Sequence, residues 1–278
     1  LFADGDIFTA CPECENGGPG DPRHIGNILD HRKFLIEEYI VTKDAFKKIN
    51  KKVASNYSSM NADVARLIMD KETTAALDGI VVIDHYVRTP QKLVSDIESI
   101  AKQSGVKIVL GEFGAPIPDI HGNFSEEEQA DWLSQAFEAL LTSDKLLGIN
   151  YWTNVGGSTE LWNGGGKPRK AVAVVASFYR STVVEGVVTD TFRRPIVGAI
   201  VSTQSRKTLT SEEGNFALPI KEGEDRIIVN KEGFKEKSTM LRGKESNLTV
   251  LLEKENPSLF DAIAAFFAQF VFVFEIDK

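Results

Sequence analysis

An apolar run that ends abruptly in a carboxylate is the feature that most constrains this sequence. Residues 108–116 read Ile-Val-Leu-Gly-Glu-Phe-Gly-Ala-Pro, a β-branched stretch followed by turn residues. The run predicts a buried strand that presents Glu112 at the edge of a sheet. Parallel α/β sheets bind their ligands at the carboxyl ends of the strands, so Glu112 is well placed for chemistry. The alternative is a surface glutamate at a strand end.

Strands and helices alternate over the first 180 or so residues. The caps are readable in places: Thr89 precedes Pro90 at a helix start, Asn61 is a candidate N-cap, and Ser125 and Glu128 have the spacing of a capping box. The alternation predicts a parallel α/β architecture. Five strands are expected at residues 5–11, 51–57, 79–87, 108–112 and 148–154, with helices at 27–50, 61–77, 90–103, 125–143 and 168–180.

The pattern of apolar and polar residues changes at about residue 181. Residues 183–253 contain short alternating runs broken by turns, which predicts an all-β sandwich with its own core. The end of the chain is very apolar, and it predicts a membrane-associated helix, a helix that docks on a domain, or a truncated tail. We therefore expect domains at residues 1–181 and 182–255, followed by an apolar tail at 256–278.

Composition excludes some classes of function. The 278 residues carry a formal net charge of −8 and no strong basic stripe, so nucleic acid is not an expected partner. The chain starts at Leu1, which indicates a processed protein or a fragment, and its oligomeric state is left open. Cys11 and Cys14 form a single C-x-x-C with no second cysteine pair. A metal or redox protein is an alternative, but we expect no metal and no cofactor.

Polar and aromatic residues gather at the ends of the predicted strands. Acids follow the first strand, a His-Tyr pair ends a later one, Glu112 ends the next, and aromatic residues end the last. Two carboxyl groups suit glycoside cleavage, in which one protonates the leaving oxygen and the other attacks the anomeric carbon or directs water to it. An indole can stack on a sugar ring. The candidates are Glu13, Glu15, His85, Tyr86, Glu112, Tyr151, Trp152 and Asn154.

This ordered set resembles the last strands of a clan A glycoside hydrolase, and it is most similar to family five, the cellulases and mannanases. The resemblance covers about residues 1–180 and is carried by Gly-Glu-Phe-Gly at 111–114, the His-Tyr before it, and the Asn-Tyr-Trp and Leu-Trp-Asn-Gly-Gly-Gly-Lys-Pro after it. It implies a (β/α)8 TIM barrel of which this chain supplies about strands four to eight. It also implies a retaining mechanism and a β-linked polysaccharide or oligosaccharide as substrate.

The resemblance also implies roles for individual residues. Glu112 matches the family's nucleophile, and the general acid/base matches Glu13 first and Glu15 second. Pro12 stands where the family usually has Asn. Tyr86 matches a tyrosine that bonds the nucleophile, His85 a histidine that contacts the sugar, and Trp152 a stacking aromatic. Because His85 and Tyr86 are adjacent, only one of the two is expected to face the site. Asn154 and Trp162 are further candidates for substrate contact.

A second resemblance covers residues 183–253. Glu-Gly-Val-Val-Thr-Asp at 185–190, Thr-Ser-Glu-Glu-Gly-Asn-Phe at 210–216 and Asn-Lys-Glu-Gly-Phe at 230–234 look like a carboxypeptidase-regulatory-like domain, with turns at Gly198 and Gly214. Such transthyretin-like sandwiches act as spacers or surface-binding units. By analogy with hydrolases joined to β modules, an extracellular or cell-surface location is expected.

The main alternative to an enzyme is a non-catalytic carbohydrate-binding or cell-surface protein with a degenerate barrel. Pro12 and the incomplete set of strands favour this alternative, whereas the paired acids favour the enzyme.

Overall fold

The computed structural model describes residues 2–6, 8–53, 59–221, 223–241 and 247–256. Contacts between Cα atoms divide the chain into two compact units. The first consists of Leu1–Leu140 and Lys145–Val174, and the second of Leu141–Asp144 and Val175–Lys278.

The first unit is built on a parallel sheet of four strands in the order β1-β2-β3-β4. This confirms the α/β architecture. The strands are β1 (Met60–Asn61), β2 (Val81–Asp84), β3 (Ile108–Phe113) and β4 (Leu146–Tyr151), and the helices are α1 (Pro22–Ile25), α2 (Ile28–Lys48), α3 (Ala62–Ile68), α4 (Lys71–Ala76), α5 (Pro90–Ser104), α6 (Pro118–His121) and α7 (Glu126–Leu140). A further helix, α8 (Ala171–Tyr179), begins in the first unit and ends in the second.

Local sequence signals set several helix ends. The Thr89 hydroxyl accepts a hydrogen bond from the Lys92 N–H, and Gly105 ends α5 with a positive φ of 79°. At α7, the Ser125 N–H donates to the Glu128 carboxylate and the Glu128 N–H donates to the Ser125 hydroxyl, which confirms the capping box. These reciprocal bonds supply partners for N–H groups that a helix start leaves open.

The strand expected at 5–11 is wrong for the part of this stretch that the structure describes, which forms turns and loop. The Gly5 N–H donates to the Lys52 carbonyl across 2.9 Å instead of joining a ladder. Phe8, an apolar residue of the predicted strand, packs with Phe2 on Phe46 of α2, with ring centroids 5.4 and 5.0 Å from that of Phe46.

Other boundaries also differ from the sequence-based expectation. The strand expected at 51–57 lies partly outside the described residues, and the strand that joins the sheet is β1, further along the chain. Asn61 caps α3 as expected, but the single helix predicted at 61–77 is broken. Asp70 caps a second helix, α4, by accepting a 2.8 Å bond from the Thr73 N–H. The sheet of the first unit therefore shows four strands within the described residues instead of five.

The second unit is an all-β sandwich, as predicted. One sheet has the order β10-β9-β6-β7 and the other β11-β5-β8, in which β11 runs parallel to β5. Gly198 and Gly214 occupy turns with positive φ, as expected. The strands are β5 (Thr182–Asp190), β6 (Ile200–Ser202), β7 (Lys207–Leu209), β8 (Asn215–Ile220), β9 (Arg226–Asn230), β10 (Lys237–Met240) and β11 (Leu248–Leu252), and their core contains Val184, Val188, Val201, Leu218, Ile227, Val229 and Leu252.

The predicted apolar tail at 256–278 lies outside the described residues from residue 257 onward. Within the described ranges, no helix combines the length and apolar character that a membrane crossing requires.

One buried amide joins the loops that follow β3 and β4. Gln129 of α7 is fully buried, and its Nε2 donates to the carbonyls of Ala115, Thr159 and Glu160 at 3.0–3.2 Å. Its Oε1 accepts a 2.8 Å bond from the Arg169 guanidinium. Buried carbonyls need partners, so this side chain fixes the two loops relative to the helix.

We expect Gln129→Leu to lower the free energy of unfolding by about 1–3 kcal/mol for each buried carbonyl that loses its donor. The measurement is urea unfolding followed by circular dichroism. Gln135→Leu is the matched control, since Gln135 lies on the same helix but is exposed. Equal effects of the two substitutions would contradict this role for Gln129.

Candidate active site

The carboxyl edge of the parallel sheet brings two acids to the same level. In the pairing of β2 with β3, Ile83 lies opposite Leu110 and Asp84 lies opposite Glu112, so Gly111 is passed over in a local irregularity. Phe113 is fully buried, with its ring centroid 5.5 Å from that of Phe137 of α7. Because neighbouring side chains on a strand point to opposite faces, Glu112 is directed away from that packing.

Tyr86 holds the carboxylate of Glu112. The Tyr86 hydroxyl donates to Glu112 Oε2 across 3.0 Å. Burial raises the pKa of Glu112, the Tyr86 hydrogen bond lowers it, and the negative charge of Glu13 raises it. Burial and the charge of Glu112 also raise the pKa of Tyr86, which keeps its phenol protonated and able to donate. The structure therefore brings together Glu112 and Tyr86, and it places Glu13 within electrostatic reach.

His85 belongs to a different cluster. Its ring Nε2 lies 2.8 Å from the Asp96 carboxylate of α5, and Arg66 also pairs with Asp96 at 2.8 Å. The ring is 9% exposed, and burial lowers its pKa. Of this adjacent pair, Tyr86 bonds Glu112, whereas the His85 ring is engaged between strand and helix. Contact of His85 with a sugar stays a prediction.

Glu13 and Glu15 have different environments. The Glu13 N–H donates to the Ser59 carbonyl across 2.7 Å, its side chain is exposed, and it accepts a 3.2 Å bond from the Asn16 amide. Glu15 is 4% exposed, and its Oε1 accepts a 2.7 Å bond from the Asn61 N–H.

The backbone at Glu13 and Glu15 does not continue a strand. Residues 14–16 form a short 3₁₀ turn, and Glu13 has a left-handed φ of 47°. Cys11 and Cys14 are joined by a disulfide that encloses Glu13 and ends at the first residue of this turn. Within the described residues, no group of three or more histidine, cysteine or acidic side chains is arranged to hold a metal ion.

Asp84 was missed by the sequence analysis. It is 3% exposed, and neither of its carboxylate oxygens has a hydrogen-bond partner among the described residues. Burial raises its pKa to about 7, with a further contribution from the charge of Glu112. The available signal was the Asp immediately before His85 at the end of an apolar run, where acids tend to be functional.

The last strand contributes an exposed aromatic surface. Trp152 follows β4, is 49% exposed, and its N–H donates to the Phe113 carbonyl across 3.0 Å. Gly114 makes room for this approach, because a Cβ there would lie 2.5 Å from the Trp152 carbonyl. Asn154 is exposed, and its carbonyl accepts bonds from the Leu161 and Trp162 N–H groups. Trp162 is partly buried, and Tyr151 packs edge-on against Phe113 at 5.7 Å.

Comparison with known protein families finds a match within the second unit. Residues 183–253 match the carboxypeptidase regulatory-like domain. No curated protein matches the chain.

Solved glycoside hydrolases show structural similarity to the chain at low identity. A β-glucuronidase 2 from Bacteroides uniformis, covalently bound to cyclophellitol-6-carboxylate aziridine, is 10% identical with a TM-score of 0.49 over 88% of this chain and 35% of that chain. The β-D-glucuronidase of Dictyoglomus thermophilum is 15% identical with a TM-score of 0.42 over 61% of this chain and 31% of that one. The chain thus spans about a third of the length of these structures, and no residue role is transferred from them.

We expect Tyr86→Phe to raise the pKa of Glu112, because the hydrogen bond from the Tyr86 phenol stabilises the charged carboxylate. Carboxyl-detected ¹³C NMR titration measures this shift. Tyr39→Phe is the control, since that hydroxyl bonds Lys43 on α2. An unchanged Glu112 titration in Tyr86→Phe would show that the hydrogen bond does not stabilise the carboxylate.

Proposed function

We propose that this chain carries the catalytic carboxyl groups of a retaining glycoside hydrolase that acts on a β-linked polysaccharide or oligosaccharide. The observation that carries the proposal is the hydrogen bond from Tyr86 to Glu112 at the carboxyl edge of a parallel sheet. A half-buried carboxylate held by a phenol is fixed in orientation and is suited to attack. In this proposal the first unit is part of a (β/α)8 barrel related to family five of clan A.

Glu112 is the nucleophile. Its oxygen attacks the anomeric carbon while the bond from that carbon to the leaving oxygen breaks, which forms a covalent glycosyl ester. Water then attacks the same carbon, and the carboxylate leaves. The Tyr86 O–H stabilises the charged form of Glu112 before attack and after release.

Glu13 is the general acid and then the general base. It gives a proton to the leaving oxygen in the first step and takes one from water in the second. Two observations favour Glu13 over Glu15: the charge of Glu13 acts on Glu112, and its carboxyl group is exposed. Glu15 is buried, and one of its oxygens is committed to the backbone of β1. In this proposal Glu15 has a structural role, because its carboxylate ties the N-terminal segment to β1.

The surroundings favour a neutral sugar. The largest charge effects on Glu112 and Asp84 come from other carboxyl groups, which would repel an anionic sugar. The exposed indole of Trp152 offers a flat face on which a sugar ring can stack. A polysaccharide substrate fits the proposed extracellular or cell-surface location. In this proposal the β sandwich is a spacer or surface-binding unit, and the apolar tail contacts a membrane or cell surface.

A carbohydrate-binding protein with a degenerate site is the second candidate. Two features favour it. Pro12 precedes Glu13 at the position where glycoside hydrolases of family five usually have Asn, and the backbone of Glu13 is left-handed. Such a protein would bind sugar without turnover.

Three glutamine substitutions separate these candidates on a panel of aryl β-glycosides, neutral and uronic. We expect Glu112→Gln to lower kcat by on the order of 10³–10⁶-fold while sugar binding, measured by calorimetry, is kept. Glu13→Gln should lower kcat by about 10²–10⁴-fold, most strongly for poor leaving groups. Glu15→Gln should change kcat little and lower the free energy of unfolding by about 1–3 kcal/mol.

Glu98→Gln is the matched control, because Glu98 is an exposed acid on α5. Sugar binding by the wild-type chain without hydrolysis of any member of the panel would favour the binding protein. A strong kinetic effect of Glu15→Gln together with a weak effect of Glu13→Gln would reverse the assignment of the acid.

A further inference from the structure

Asp84 occupies a place in which a carboxylate is costly. It ends β2, it is 3% exposed, and its two oxygens lack hydrogen-bond partners among the described residues. Burying an ionised carboxylate without partners is strongly unfavourable, and such a group usually keeps its proton instead. No step of the proposed hydrolysis uses Asp84, so its position needs another explanation.

The neighbouring strand is shaped to accept this side chain. A Cβ on Gly111 would lie 2.7 Å from Asp84 Oδ1 and 2.8 Å from a Val82 methyl carbon. The absence of a side chain at Gly111 therefore creates the space in which the Asp84 carboxyl group lies against β3. That space is directly next to Glu112, the residue paired with Asp84 across the strands.

We propose that Asp84 is a positioning residue for the nucleophile: it holds one proton beside Glu112, so that Glu112 is the ionised member of the pair. This inference rests on the proposed function for its catalytic meaning, but the proton it places on Asp84 can be measured without any substrate.

The charged groups that act on Asp84 all raise its pKa. Glu112 of β3 contributes most after burial, and Glu13 and Glu15 of the N-terminal segment add to it. The Ser59 side chain, just before β1, lowers the pKa of Asp84. The charge of Asp84 in turn raises the pKa of the Tyr86 phenol, two residues further along the chain. Burial and the neighbouring charges together raise the pKa of Asp84 to about 7, whereas burial and Glu13 raise that of Glu112 against the bond from Tyr86.

The consequence is an ordered loss of two protons. As pH rises, Glu112 ionises first, because the Tyr86 phenol donates to its carboxylate, whereas burial of Asp84 outweighs the opposing contribution of the Ser59 side chain. Its charge then holds the proton on Asp84, and two like charges are avoided until about pH 7. Above that pH, Asp84 loses its proton to water, and a second negative charge then lies beside Glu112.

Carboxyl-detected ¹³C NMR on the full chain tests the placement of the proton directly. The wild type should show one aspartate carboxyl with a midpoint near pH 7, and this titration should be missing in Asp84→Asn. In Glu112→Gln the midpoint of Asp84 should move to lower pH, because the neighbouring charge is gone. A midpoint near 4 for Asp84 in the wild type, or one near 7 that persists in Asp84→Asn, overturns the proposal.

The pH dependence of stability gives an independent measurement. The unfolded Asp84 has the ordinary value of 3.8 and the folded one about 7, so the folded chain holds an extra proton between these values. The stabilisation from this proton is complete below about pH 4 and is lost as pH rises through about 7. The melting temperature should therefore fall less between pH 4 and pH 7 in Asp84→Asn than in the wild type. Parallel curves for the two proteins count against the proposal.

Kinetics separate this inference from the proposed function. On an aryl β-glycoside that the chain hydrolyses, kcat of the wild type should change near pH 7, where Asp84 loses its proton beside Glu112, and this change should be missing in Asp84→Asn. The exposed Asp119→Asn is the matched control and should leave the profile unchanged.

The outcomes of these experiments are distinct. An NMR midpoint near 7 without hydrolysis of any glycoside would keep the proton on Asp84 and refute the proposed enzyme. Hydrolysis that depends on Glu112, combined with an ordinary titration of Asp84, would keep the enzyme and refute this inference. If Asp84→Asn does not fold, the shift of the Asp84 midpoint in Glu112→Gln decides the question.

Discussion

The pairing of β2 with β3 is the constraint on which the candidate site depends. Parallel strands end at a common edge, and the local irregularity at Gly111 puts Asp84 opposite Glu112. The same register lets Tyr86, two residues beyond Asp84, reach the Glu112 carboxylate. A one-residue shift of either strand would turn these side chains to the other face of the sheet. The chemistry proposed for the site is therefore a consequence of strand register.

Packing behind the sheet gives that edge its rigidity. Phe113 is fully buried against the aromatic rings of α7, and the following glycine permits the close approach of the Trp152 backbone. Gln129 of the same helix binds the loops that follow β3 and β4. One helix thus supports both the strand that carries the proposed nucleophile and the turn that presents the indole. A site built on regular elements in this way holds its geometry better than one built on loops alone.

Periodicity and capping predicted the elements whose signals are local. The strand at Glu112 and the capping box at Ser125 follow from alternation and from side chains close in sequence. Phe8 does not lie in a strand, and its ring packs against that of Phe46. That contact is distant in sequence and leaves no local pattern.

The protonation of the site could not be predicted from sequence for a similar reason. Asp84 looks like an ordinary acid at a strand end until the space at Gly111 and the charge of Glu112 are seen across the sheet. The same holds for the two N-terminal acids. The sequence ranked Glu13 before Glu15 by resemblance alone, and their different burial and the bond from the Asn61 N–H to Glu15 are visible only in the fold.

Covalent labelling of Glu112 tests the central claim most directly. An aryl 2-deoxy-2-fluoro-β-glycoside of the sugar that the chain hydrolyses slows release of the glycosyl ester, and mass spectrometry of peptides then locates it. The account predicts one added glycosyl group on the peptide that contains Glu112, and none in Glu112→Gln. A label on another residue, or turnover of the parent glycoside without any label, would contradict it.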